Sequence, residues 1–257
     1  MEKEKNNQHS LFNYVLSMAD TSLILSHRLS EWCGHGPVIE QDIAMSNIAL
    51  DLIGEARNFY DYAASLEGKG KSEDDYAYFR ESKGFKNLLL CEQPNGDFAH
   101  TILRQFLFDS FHYHVLSELR KSPDETLRAI AEKSFKEVSY HIKWSSEWVI
   151  RLGDGTDVSK QKMETALKAL WMFSGELTEP TADEKILIAQ KIIPDFEAIK
   201  KTWLEQVTDV FTQASLTVPT TKNNVQQGGK TGKHSEHLSY LLAEMQSVQR
   251  AYPGLQW

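Results

Sequence analysis

The chain has 257 residues, 41% of them hydrophobic and 25% charged, with a formal net charge of −8. That length supports a sizeable core in one large domain or two smaller ones. The acidic balance argues against a general nucleic-acid binder, which presents a basic face, and no apolar run approaches the length needed to cross a bilayer. Cys33 and Cys91 do not make a disulfide framework and read as reduced, buried packing thiols. The polar N-terminal stretch lacks the apolar segment of a secretory leader, so a cytoplasmic location is expected.

Apolar residues recur at helical spacing from about residue 10 to 33, as Leu11, Val15, Met18, Leu25 and Leu29, with Ser22 and Ser26 on the same side. Gly34 and Gly36, followed by Pro37, end this segment. A second helix is expected at about 41–66. Ala44, Ile48, Asp51, Glu55, Asn58 and Tyr62 share its inner stripe, and Ile43, Leu50, Ile53 and Ala64 widen it. The polar stretch 71–83 carries Tyr76, Tyr78 and Phe79 and reads as a short helix or ordered loop.

Pro94, Asn95 and Gly96 break the chain, and Asp97 is a helix N-cap. The third long segment, about 97–121, has Ile102, Phe106, Asp109, His112 or Tyr113, and Leu116 inside. The fourth, about 123–152, has Ile130, Ser134, Glu137, His141, Trp144 and Trp148 inside, and Gly153 and Gly155 stop it. Further helices are expected at 159–177, 180–190, 194–215 and 235–251, with an extended piece at 216–219 and a polar loop at 220–233. Trp144, Trp148, Trp171 and Trp203 read as core. The fold class is all-α: a ferritin-like antiparallel four-helix bundle with additional C-terminal helices. It is expected as a single domain over 1–257, with a bundle core at about 10–152 and accessory helices and tail at about 159–257.

Three long helices thus place acids or histidines on faces that should be buried. A dinuclear metal bundle needs a Glu from each of two helices and Glu-x-x-His from each of the other two. Asp51, Glu55 and Asn58, then Asp109 and His112, then Glu137 and His141 are degenerate positions of that set. Ser22 and Ser26 stand where an acid is wanted, Asn58 where a His is wanted, and Glu137 and His141 are four apart rather than three. Arg57, Arg104, Lys136 and Lys143 are the expected neutralising cations, so a structural polar network is the reading and no metal is expected. His234 and His237 flank Glu236 and read as a helix cap or interface. No phosphate-binding loop, nucleophile elbow or paired Cys-x-x-Cys occurs.

The chain resembles the C subunits of the multicomponent ring-1,2-phenylacetyl-CoA epoxidases. The resemblance rests on Leu29-Ser-Glu-Trp-Cys-Gly-His-Gly-Pro37, Asn47-Ile-Ala-Leu-Asp-Leu-Ile-Gly54, Glu92-Gln-Pro-Asn-Gly96, Arg151-Leu-Gly-Asp-Gly-Thr156, His234-Ser-Glu-His-Leu238 and Ala243-Glu-Met-Gln246, in order along nearly the whole chain. It implies a ferritin-like, non-catalytic subunit with no cofactor of its own. The partner A subunit would hold the di-iron centre and bind phenylacetyl-CoA. A reductase component would supply electrons from NADPH through flavin and iron–sulfur, and dioxygen would epoxidise the ring. Glu55, Asp109, Glu137 and His141 remain as potential ligands. The competing hypotheses are therefore an autonomous di-iron or manganese oxidase and a ferritin-like metal-binding protein. For the partner interface, the expectation is the tail at 228–257, with Lys230, His234, Glu236, His237, Glu244 and Gln246, plus one bundle flank.

Overall fold

The computed structural model describes residues 2–220 and 225–255. Residues 221–224 of the expected loop and residues 256–257 of the expected tail lie outside them. Among the described residues every regular element is helical. In chain order these are α1 (Glu2–Ser30), α2 (Ile39–Glu67), α3 (Glu73–Tyr78), α4 (Leu89–Glu92), α5 (Phe98–Leu119), α6 (Glu125–Gly153), α7 (Asp157–Ser174), α8 (Ala182–Ala189), α9 (Phe196–Gln213), α10 (Glu236–Met245) and α11 (Ser247–Ala251). The all-α, ferritin-like class expected from the sequence is the class observed.

The chain forms two compact units. The first comprises Met1–Pro94, Thr181–Ile186 and Gly228–Trp257, and the second Asn95–Pro180 and Leu187–Gln227. In the first, α1 and α2 pair as a long hairpin, α4 packs on α1, and α10 packs on α4. In the second, α5 is the hub, packed against α6, α7 and α9. Segments from beyond residue 180 therefore contribute to both units.

Local chemistry sets the helix ends. Gly34 takes a positive φ of 80° in the turn after α1, and Gly68 closes α2 in the left-handed conformation, donating its N–H to the Ala64 carbonyl. Asp97, Asp124 and Asp195 cap α5, α6 and α9 with their carboxylates. Thr156 and Ser159 form a reciprocal box at the start of α7. Helix α1 starts at Glu2, ahead of the expected residue 10, because its Glu–Lys run favours helix and holds no breaker. The expected last helix is divided at Gln246, whose amide turns inward to donate to the carbonyls of Ala77 (3.0 Å) and Arg80 (3.1 Å).

Burial is broader than single stripes on α1 and α5: residues 19–26 and 101–112 are buried on every side. On α2 it is displaced. Met45, Ile48, Ala49, Leu52, Ala56 and Phe59 are buried, whereas Ile43, Leu50 and Ile53, expected to widen the inner stripe, are exposed. Helix α2 carries two apolar faces, and a periodicity count merges them. Trp203 is core as expected, donating its indole N–H to the Leu107 carbonyl at 3.1 Å and stacking on Trp171. Cys91 is buried, but Cys33 is exposed, because it lies in the turn after α1 rather than on its packed length.

Candidate functional site

In the second unit, α5 sets Asp109 and His112 one turn apart and α6 supplies His141 and Ser145; all four are buried. The Asp109 carboxylate accepts from Gln105 Nε2 at 2.6 Å and from Ser145 Oγ at 2.8 Å. Burial pushes the Asp109 pKa up to about 6, opposed by His141, the Ser145 and Gln105 hydrogen bonds, and His112. His112 stacks on Phe108, with ring centroids 4.9 Å apart. Glu137 is half-buried, so α6 turns its histidine fully inward and leaves its acid nearer the edge.

In the first unit, Glu55 is buried and accepts from Ser22 Oγ at 2.6 Å. Ser22 stands where a metal bundle would offer an acid, and there it satisfies the acid on the neighbouring helix. Asp51 and Asn58, a turn to either side of Glu55, are half-buried. Tyr14 is buried, and its pKa is raised by burial and by the charges of Glu184 and Glu55, so the phenol stays protonated.

The cations expected to neutralise these acids mostly lie elsewhere. Arg57 is exposed and pairs with Glu73 at 3.2 Å, and Lys136 and Lys143 lie on the outer face of α6. Arg104 is fully buried and donates to Asn95 Oδ1 at 2.7 Å. The groups that donate to Glu55 and Asp109 are hydroxyls and an amide. These cost less to bury than a second full charge.

Three further acids of the first unit are buried and were not singled out from the sequence. Asp20 accepts from Tyr60 Oη at 2.6 Å and from the Lys86 backbone N–H at 2.8 Å, and it pairs with Arg80. Glu92 accepts from Asn87 Nδ2 (2.9 Å) and the Ser235 backbone N–H (2.6 Å), and it meets the His234 ring at 2.8 Å. Glu184 pairs with Lys230 at 3.1 Å and accepts from the Thr181 N–H at 2.7 Å. A weak signal was present for Asp20, which sits inside a helical stretch otherwise made of apolar and hydroxyl residues.

Among the residues expected at the interface, Lys230, His234 and Gln246 are engaged within the first unit. Glu236 and Glu244 are exposed. His237 is half-buried, and its carbonyl accepts from Arg28 at 3.4 Å.

Among the described residues no three His, Cys, Asp or Glu side chains converge in an arrangement able to hold a metal ion. Side chains of the same unit donate to the buried carboxylates of Glu55 and Asp109. Among the described residues no helix is long and apolar enough to cross a membrane. Together these features define an all-α protein whose buried acids are held by its own side chains. The sequence model for the phenylacetic acid catabolic protein family matches residues 1–257. The C subunit of 1,2-phenylacetyl-CoA epoxidase from Escherichia coli (strain K12) is 46% identical over 249 residues, covering 97% of this chain and 100% of that protein. The chain belongs to the phenylacetic acid catabolic protein family, in agreement with the resemblance carried by its motifs.

Proposed function

We propose that the chain is the structural, non-catalytic subunit of a multicomponent oxygenase that epoxidises the ring of phenylacetyl-CoA, and that it packs against and supports the catalytic A subunit. The observation that carries this reading is the 46% identity, over nearly the full length of both chains, to a protein named as the C subunit of that epoxidase. The interior chemistry supports the non-catalytic part. Glu55 accepts from Ser22, and Asp109 from Gln105 and Ser145, so side chains of this chain occupy oxygens that a dinuclear centre would need as ligands. On this reading the di-iron centre belongs to the A subunit, and NADPH, flavin and iron–sulfur to the reductase, all in the cytoplasm.

The test is metal analysis of the purified chain, alone and as a complex with the A subunit, after expression with supplied iron. Iron is expected with the complex and not with the chain alone, and NADPH-dependent epoxidation is expected to require both. About two metal ions per isolated chain, with turnover by that chain unaided, would overturn the proposal in favour of an autonomous oxidase. Iron uptake without turnover, in a homo-oligomer, would favour a storage protein.

A further inference from the structure

The outer face of α2 carries more apolar surface than the chain's own packing uses. Ile39, Ile43 and Leu50 are 71%, 55% and 64% exposed, and Ile53 joins them. Spacings of four, seven and three residues align all four along one side of the helix. That side faces away from Ile48, Leu52 and Phe59, which are buried. A groove lined by Ile53, Tyr60 and Tyr78, with Arg57, Glu73 and Asp74 at its polar side, extends the face within the same unit.

Gly54 lies within this stripe, in mid-helix, where glycine weakens a helix relative to alanine. Its φ is not positive, and a Cβ placed on it meets no atom within 4 Å. The chain's own fold therefore gives no reason for glycine at this position. A missing side chain on a half-buried stretch of helix surface lets another backbone come close.

Charge selects the kind of neighbour. From Ile39 through Asp61 the helix carries Glu40, Asp42, Asp51, the buried Glu55 and Asp61 against one cation, Arg57, which lies in line with the stripe and pairs with Glu73 at 3.2 Å, so the face stays acidic. By helical position Glu40 and Asp51 flank the stripe on one side and Asp42 on the other. Two copies of the chain meeting here would set acidic rims against each other. A helix with basic flanks would be attracted.

We propose that the outer face of α2 docks a helix of a different polypeptide, apolar along its line of contact and flanked by lysine or arginine. This rests on the oxygenase-subunit reading, under which that polypeptide is the catalytic A subunit. The experiment measures binding of the full chain to the tagged A subunit for wild type, an Ile43→Glu/Leu50→Glu double variant, and Gly54→Leu. The double variant is expected to lose affinity by about 100-fold while its circular dichroism and melting temperature stay close to wild type. Gly54→Leu is expected to raise the melting temperature of the free chain and to weaken the complex by about 10-fold. Those opposite signs separate docking from folding. Wild-type affinity in both variants would overturn this face as the interface while leaving the oxygenase-subunit reading standing. Failure of the wild-type chain to bind the A subunit would overturn both. Self-association of the chain alone, abolished by the double variant, would make a second copy the occupant and overturn the proposal.

Discussion

His234 and Glu92 form a buried pair in which the imidazole meets the carboxylate at 2.8 Å through Nδ1, while Nε2 lies 2.9 Å from the Phe85 carbonyl. Both ring nitrogens face acceptors, so the doubly protonated imidazolium is the form that fits. Its pKa is accordingly raised: burial works against the charge, but the Glu92 and Phe85 hydrogen bonds outweigh it. A histidine with a raised folded pKa adds stability that is complete below its unfolded value near 6.5 and is lost as the pH climbs through the folded value. Urea unfolding of wild type and His234→Gln should show the gap between them narrowing from about pH 6 to pH 9. His234→Ala should cost about 2–4 kcal/mol near pH 6, because Glu92 loses a charged partner inside the protein. A pH-independent gap would refute the imidazolium assignment.

Asp109 has its folded pKa at about 6, above the unfolded value of 3.8, chiefly through burial. Its contribution is therefore complete below about pH 4 and is lost as the pH rises through about 6. Two units of difference correspond to about 3 kcal/mol. Relative to Asp109→Asn, wild type should lose roughly that amount between pH 4 and pH 7 in denaturant titrations. Parallel stability curves for the two proteins would contradict this account of the carboxylate.

Lys230 and Glu184 are both nearly inaccessible, and Glu184 also raises the pKa of buried Tyr14. Removing the cation alone leaves a desolvated carboxylate, so Lys230→Met should destabilise by about 3–5 kcal/mol. Adding Glu184→Gln should recover much of that loss. A double-mutant cycle in urea measures the coupling, and a near-zero coupling energy would show that the pair contributes little.

The segment after residue 227 carries Lys230, His234 and Gln246, all spent on the interior of the first unit. Deleting Gly228–Trp257 should therefore lower the melting temperature or abolish cooperative unfolding, and not merely change partner binding. A truncated chain that melts like the parent would remove the structural role assigned to these contacts.

Where local spacing carries the information, the sequence already showed the outcome. Asp97 as an N-cap, the Gly34 stop, and Asp109 with His112 on a buried face of α5 follow from rules spanning a few residues. The second face of α2 did not, because Ile43 and Ile48 obey the same period and differ only in what packs against them. The buried acids of the first unit were harder still. Asp20 finds Arg80 60 residues away, Glu184 finds Lys230 46 away, and Glu92 finds His234 142 away. No helical repeat links partners at those separations. Cys33 and the exposed Lys136 and Lys143 were misplaced for the opposite reason: residue type alone suggested a role that position does not allow.

The first unit is assembled from three separate stretches of chain, the last beginning at Gly228. Domains tend to condense as they leave the ribosome, N-terminal parts first. Here α1 and α2 emerge early, yet Glu92 and Glu184 must wait for His234 and Lys230 before their charges are matched. The unit translated first is therefore the one finished last, and a nascent chain halted before Gly228 would hold α1 and α2 around carboxylates still open to water.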